Sequence, residues 1–123
     1  MDLMIDTHIL VWLTTHDRRL PALSRSRLVE SENLKVSAAT AWEYADLETR
    51  GRLPGALPFA TVAEGLSFEI LSLPVDIWRM AANLPEIHRD PIDRMVVAHA
   101  IAIGATLATA DAKMRAYPVK TLW

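Results

Sequence analysis

Short apolar runs, each closed by an acid or a hydroxyl side chain and followed by a helix-length segment, constrain this chain most. Leu3-Met4-Ile5 ends at Asp6, and Leu34-Lys35-Val36 ends at Ser37. Ala105-Thr106-Leu107-Ala108 ends at Thr109, with Asp111 two residues further on. Short apolar strands that alternate with helices build a parallel sheet with helices on both faces. The expected fold class is α/β, a three-layer α/β/α sandwich around a central parallel sheet of four to five strands. In an open sheet of that kind the strand ends share one edge, and ligands bind in the crevice beyond it. Asp6 and Asp111 follow strands. Glu43 and Asp93 fall in early turns of helices that follow a strand or enter the sheet. All four acids are therefore expected at one edge.

Carboxylates gathered there repel one another. Two unit charges about 4 Å apart cost roughly 4 kcal/mol at an effective dielectric near 20. Several in one pocket need protons or a divalent cation, and hard oxygen ligands suit Mg²⁺ or Mn²⁺. The chain has no cysteine, which excludes disulfides, thiolate zinc sites and cysteine nucleophiles. Its net charge of −2 offers no basic footprint, so nucleic-acid binding does not follow from global charge. A chain of 123 residues reads as a single domain over 1–123. No signal peptide is visible, and no run approaches 18 uncharged apolar residues. The expectation is a cytoplasmic protein without a membrane span.

Capping chemistry sets the expected boundaries. Strands are expected at 3–5, 34–36, 68–73 and 105–108, with an edge strand at 119–122. Helices are expected at 8–13, 25–31, 38–50, 59–65, 75–84, 91–103 and 112–116. Ser24 is expected to cap the second helix and Ser37 the third, with Gly51 just past the third. Asp90-Pro91 reads as an acidic N-cap with proline at the first helical position. Asp6, Asp90 and Asp111 all suit capping, so each acid has an ordinary structural use as well.

The ordered pieces carry a resemblance. Leu3-Met4-Ile5-Asp6-Thr7-His8, Val36-Ser37-Ala38-Ala39-Thr40-Ala41-Trp42-Glu43 and Gly51-Arg52-Leu53 come first. His88-Arg89-Asp90-Pro91-Ile92-Asp93-Arg94 and Leu107-Ala108-Thr109-Ala110-Asp111 follow. Together they resemble the PIN-domain ribonucleases, in particular the VapC-type toxins of type II toxin–antitoxin systems. The likeness spans nearly the whole chain. It departs after Glu43, where a lysine is expected and Tyr44-Ala45-Asp46-Leu47-Glu48 stands.

The resemblance implies that Asp6, Glu43, Asp93 and Asp111 are the catalytic, metal-holding acids, with Mg²⁺ the expected ion and Mn²⁺ an alternative. Asp90 becomes a helix cap beside them. Thr7, Ser37 and Thr109 stand next to acids and can orient carboxylates or a metal-bound water. Arg94, Arg89, Arg18 and Arg19 are the candidates for tracking substrate phosphates. His8 can touch substrate or pack beneath the site, the latter being the expectation, and His88 and His99 are expected to be structural. The implied activity is endonucleolytic hydrolysis of RNA to 5′-phosphate and 3′-hydroxyl ends. The implied partners are RNA, a VapB-type antitoxin and a second copy in a homodimer. Four tryptophans suit either the core or such interfaces. Three other readings compete. A receiver-type Mg²⁺-binding domain lacks its acidic pair after strand one and its acid after strand three. A haloacid-dehalogenase phosphatase would want an acid where His8 stands. A catalytically silent PIN-like interaction module would not need all four acids.

Overall fold

The computed structural model describes residues 2–123. Five strands, β1 (Leu3–Ile5), β2 (Leu34–Ser37), β3 (Glu69–Leu71), β4 (Thr106–Ala108) and β5 (Thr121–Leu122), form one sheet. Their order is β3-β2-β1-β4-β5, and every pairing is parallel. The helices are α1 (Thr7–Thr15), α2 (Ala22–Val29), α3 (Ala38–Thr49), α4 (Phe59–Leu66), α5 (Val75–Ala82), α6 (Pro91–Ile103) and α7 (Ala112–Arg115). They flank the sheet, giving the α/β sandwich expected from the alternating pattern.

Strand side chains alternate between two cores, as a period of two requires. Leu3, Ile5, Val36 and Ala108 face Ile9, Leu10, Tyr44, Val62 and Phe68 of one layer. Met4 and Leu107 face Val96, Val97, Ala100, Met114 and Tyr117 of the other. Burial on both faces is why these strands read as continuous apolar runs. In the first core the Tyr44 hydroxyl lies 2.8 Å from the Leu57 carbonyl and 3.1 Å from Thr14 Oγ1, so the buried phenol is satisfied.

The boundaries follow the capping residues. Ser37 Oγ accepts the Ala39 N–H at the start of α3. Asp90 accepts the N–H groups of Ile92 and Asp93, and Pro91 fills the first position of α6. Gly104 ends α6 at φ +69°, a backbone conformation that costs glycine little. Two expectations are corrected. The second helix starts at Ala22 after Pro21, not after Ser24, because the proline is already set for helix entry and its carbonyl accepts the Arg25 N–H. The third strand is only Glu69–Leu71, since its register partner β2 ends at Ser37 opposite Leu71. Among the described residues no helix is long and apolar enough to cross a membrane.

The tryptophans are not core residues. Trp42, Trp78 and Trp123 are 59%, 45% and 39% exposed, and Trp12 is half-buried. Three of the four tryptophans lie at the surface, and Trp12 packs against the edge of the first core.

Candidate metal centre and nucleic-acid site

The chain leaves β1 toward β2 and β3 on one side and places β4 and β5 on the other, so the strand order reverses between β1 and β4. At such a switch point the two connections part and leave a crevice at the carboxyl edge. Asp6 ends β1 there, and its backbone N–H donates to the Ala108 carbonyl at the end of β4. Its side chain caps α1 through the Ile9 N–H at 2.8 Å. The other carboxylate oxygen accepts the Thr109 hydroxyl at 2.5 Å. That same hydroxyl accepts the Asp111 N–H at 3.0 Å, so Thr109 ties the two strand-end acids together.

Asp93 enters from α6, one turn inside the Asp90 cap. Asp111 enters as the cap of α7, accepting the Lys113 N–H. His88 sits between them. Its Nε2 lies 3.0 Å from Asp93 Oδ2 and 2.9 Å from Asp111 Oδ2. Its Nδ1 accepts the Asp90 N–H at 3.1 Å. An acceptor Nδ1 leaves the ring proton on Nε2, where it is shared between the two carboxylates. One ligand atom from each of His88, Asp93 and Asp111 falls within 4.8 Å of the others. His88 was expected to be structural, on the ground that a hard cation does not want imidazole. The structure puts it among the acids as an N–H donor.

The electrostatics carry the mark of crowded carboxylates. Burial, with Asp90, Asp6 and Glu43 nearby, pushes Asp93 up to about 7, although His88 opposes the rise. Burial also raises Asp6, against the bonds from Thr109 and Ile9, with Asp111 adding to the rise. Asp111 goes the other way. Its burial is outweighed by the hydrogen bond from His88 and by the backbone N–H groups at the start of α7, and it is held below the usual carboxylate range. Glu43, half-buried on α3, is near enough to act on Asp93 but makes none of the site's hydrogen bonds. The donor set is therefore oxygen-rich, with burial raising Asp6 and placing the Asp93 proton near neutral pH. That composition fits a hard divalent cation taking the place of that proton.

The remaining residues divide clearly. Ser37 lies at the edge but is engaged with His99 Nδ1 (2.8 Å) and the α3 cap. Thr7 Oγ1 and Thr40 Oγ1 are buried without a hydrogen-bond partner among the described residues. Arg94 is not the phosphate-tracking cation suggested by its neighbour. Its guanidinium is bound by the carbonyls of Ala81, Leu84, Pro85 and His88 at 2.8–3.1 Å. Residues adjacent on a helix project to different sides, so Arg94 turns away as Asp93 turns in. Arg19 is paired with Asp17 and lies over the Trp12 ring. Arg18 and Arg89 are exposed. A cavity of about 230 Å³ at the switch point is lined by Asp6, His8, Trp12, Ala110 and Asp111. His8 thus faces the cavity and does not pack beneath the acids.

Comparison with known proteins agrees with this architecture. A family model described as the PIN domain matches residues 3–120. Ribonuclease VapC22 of Mycobacterium tuberculosis is 27% identical over 127 residues, covering 98% of this chain and 97% of the relative. Among solved structures, VapBC2 of Rickettsia felis, bound to a DNA fragment from its promoter, superposes with a TM-score of 0.72 at 17% identity. It covers 99% of this chain and 98% of the other. VapBC-1 of nontypeable Haemophilus influenzae gives a TM-score of 0.60 at 21% identity, covering 99% and 97%.

Proposed function

The chain belongs to the PIN domain family, and from that premise we propose that it is a Mg²⁺-dependent endoribonuclease acting as the toxin of a VapBC-type pair. The observation that carries this reading is the gathering of Asp6, Asp93 and Asp111 at the switch point, with Glu43 alongside. The similarity to Ribonuclease VapC22 over nearly the full length of both chains supports the RNA substrate. The likeness to VapBC complexes supports a VapB-type partner. A homodimer and a cytoplasmic location belong to the same reading.

Asp6, Glu43, Asp93 and Asp111 would hold one or two Mg²⁺ ions. When bound, such an ion lowers the pKa of a coordinated water and offsets charge on the phosphorus oxygens and the leaving oxygen. The protein's own work is placement. Thr109 fixes one oxygen of Asp6 and, through the Asp111 N–H, the start of α7. Asp90 and Pro91 set the first turn of α6, which aims Asp93. The shared Nε2 proton of His88 holds Asp93 and Asp111 at a common point despite their repulsion. Water adds to phosphorus, the bond to the 3′ oxygen breaks, and that oxygen takes up a proton. The products are a 5′-phosphate and a 3′-hydroxyl.

The test is incubation of the full chain with single-stranded and structured RNA, followed by end-group analysis. Cleavage with Mg²⁺ or Mn²⁺, its loss in EDTA, and its loss in Asp6→Asn are expected. Cleavage that persists in EDTA, or 2′,3′-cyclic phosphate ends, would sink the metal mechanism.

A further inference from the structure

The cavity at the switch point has an acidic end and an aromatic end. Asp6 and Asp111 form the first, and His8 and Trp12 the second. His8 and Trp12 are four residues apart on α1, which puts them on one face of the helix. Their rings meet edge to face, with centroids 6.4 Å apart and planes at 61°, so they make a two-walled corner and not a flat floor. Trp123 backs Trp12 at a centroid distance of 5.7 Å. The Arg19 guanidinium lies 5.0 Å from the Trp12 ring centroid. One indole therefore adjoins both the acids and an arginine that is itself paired with Asp17.

We propose that this corner is a nucleobase subsite: a base beside the scissile phosphate of single-stranded RNA stacks in the angle between Trp12 and His8. The inference rests on the ribonuclease reading and adds to it a substrate-positioning element. Charge supports it. The chain has a net charge of −2, and Arg94, the arginine beside the acids in sequence, is taken up by carbonyls. Phosphate contacts alone are thus a poor source of affinity. Stacking on aromatic side chains provides affinity that needs no basic track, and it accepts any base because every base has a π face. A duplex keeps its bases stacked on each other, so the corner favours single strands and loops.

The test is steady-state cleavage of a short single-stranded oligoribonucleotide by the full chain with Mg²⁺. Trp12→Ala and His8→Ala should raise KM by about five- to 150-fold, with kcat nearly unchanged. Trp12→Phe should recover most of the loss. A single abasic nucleotide next to the cut should raise the wild-type KM by a similar factor. It should add nothing further in Trp12→Ala. His8 is exposed, and the abasic substrate leaves the protein untouched, so both arms hold even if Trp12→Ala melts early. A wild-type KM indifferent to abasic substitution on either side of a cut that still occurs would overturn the subsite and leave the ribonuclease reading standing. So would a Trp12→Ala variant that loses antitoxin binding but keeps its RNA KM, which would assign the corner to the protein partner. Absence of cleavage of any RNA by the wild type would instead remove the ribonuclease reading, and the subsite with it.

Discussion

Asp93→Asn is expected to lower kcat/KM for RNA by more than about a hundredfold and, at the same time, to stabilise the metal-free protein at pH 8. The first effect is the loss of an anionic oxygen from the metal site, and even groups that merely orient ligands are worth about 10- to 100-fold. The second follows from burial. Asp93 is 4% exposed and has its pKa raised to about 7 from an ordinary 3.8. A carboxyl whose pKa is higher in the folded state binds its proton more tightly there. Its stabilising effect is complete below the unfolded pKa and is lost as pH rises through 7. Between about pH 4 and pH 7 the native state holds the extra proton, so metal-free stability falls with rising pH. The upper limit is about 4 kcal/mol, a shift of roughly three pKa units at 1.36 kcal/mol each. Asp6 acts in the same direction, and Asp111 in the opposite one. Thermal melts in EDTA at pH 5 and pH 8 measure this directly. The wild type should lose stability between them, and Asp93→Asn should lose distinctly less. Equal losses would show that Asp93 is not the buried acid that titrates.

Arg94→Ala is expected to be strongly destabilising, costing about 2–3 kcal/mol in denaturant unfolding. The guanidinium donates to four backbone carbonyls and lies 3.4 Å from the Tyr117 hydroxyl. Removing it takes a donor from all four. The Ala81 and Pro85 carbonyls keep others, from the Leu84 N–H and from the Ile87 N–H and Tyr117 hydroxyl. Those of Leu84 and His88 lose their side-chain donor, and an unpaired group shielded from water costs about 1–3 kcal/mol. The damage should reach the site. Arg94 and Tyr117 together hold the segment that carries His88: Tyr117 accepts the His88 N–H and donates to the Pro85 carbonyl. Arg94→Lys should rescue little, because one ammonium cannot fork across four carbonyls. If Arg94→Ala kept full stability and lost only RNA affinity, the arginine would be a phosphate contact after all.

The fold was legible because this chain punctuates its elements with groups that have one strong use. Asp90-Pro91 and Gly104 bracket α6, and Ser37 opens α3. The convergence of Asp6 and Asp111 was legible because strand ends in a parallel sheet share one edge. The places of Arg94, His88 and His8 were not. Arg94 adjoins Asp93 in sequence but not in space, because one helical step turns a side chain through about 100°. His88 was set aside on the chemistry of ligands, whereas its geometry is that of a donor. The signal was present in its place five residues before Asp93, within the loop that Asp90 closes. The extent of β3 was overread because an edge strand lasts only as long as its one neighbour pairs with it.

The most direct measurement is a calorimetric titration of Mg²⁺ or Mn²⁺ into the metal-free chain near pH 7, repeated in buffers of different ionisation enthalpy. Saturable binding is expected, with release of a substantial fraction of a proton per ion, because the cation must displace the proton held by Asp93. Asp93→Asn should bind far more weakly and release less. No saturable binding by the wild type, or equal affinity in Asp93→Asn, would contradict a metal centre built from these acids.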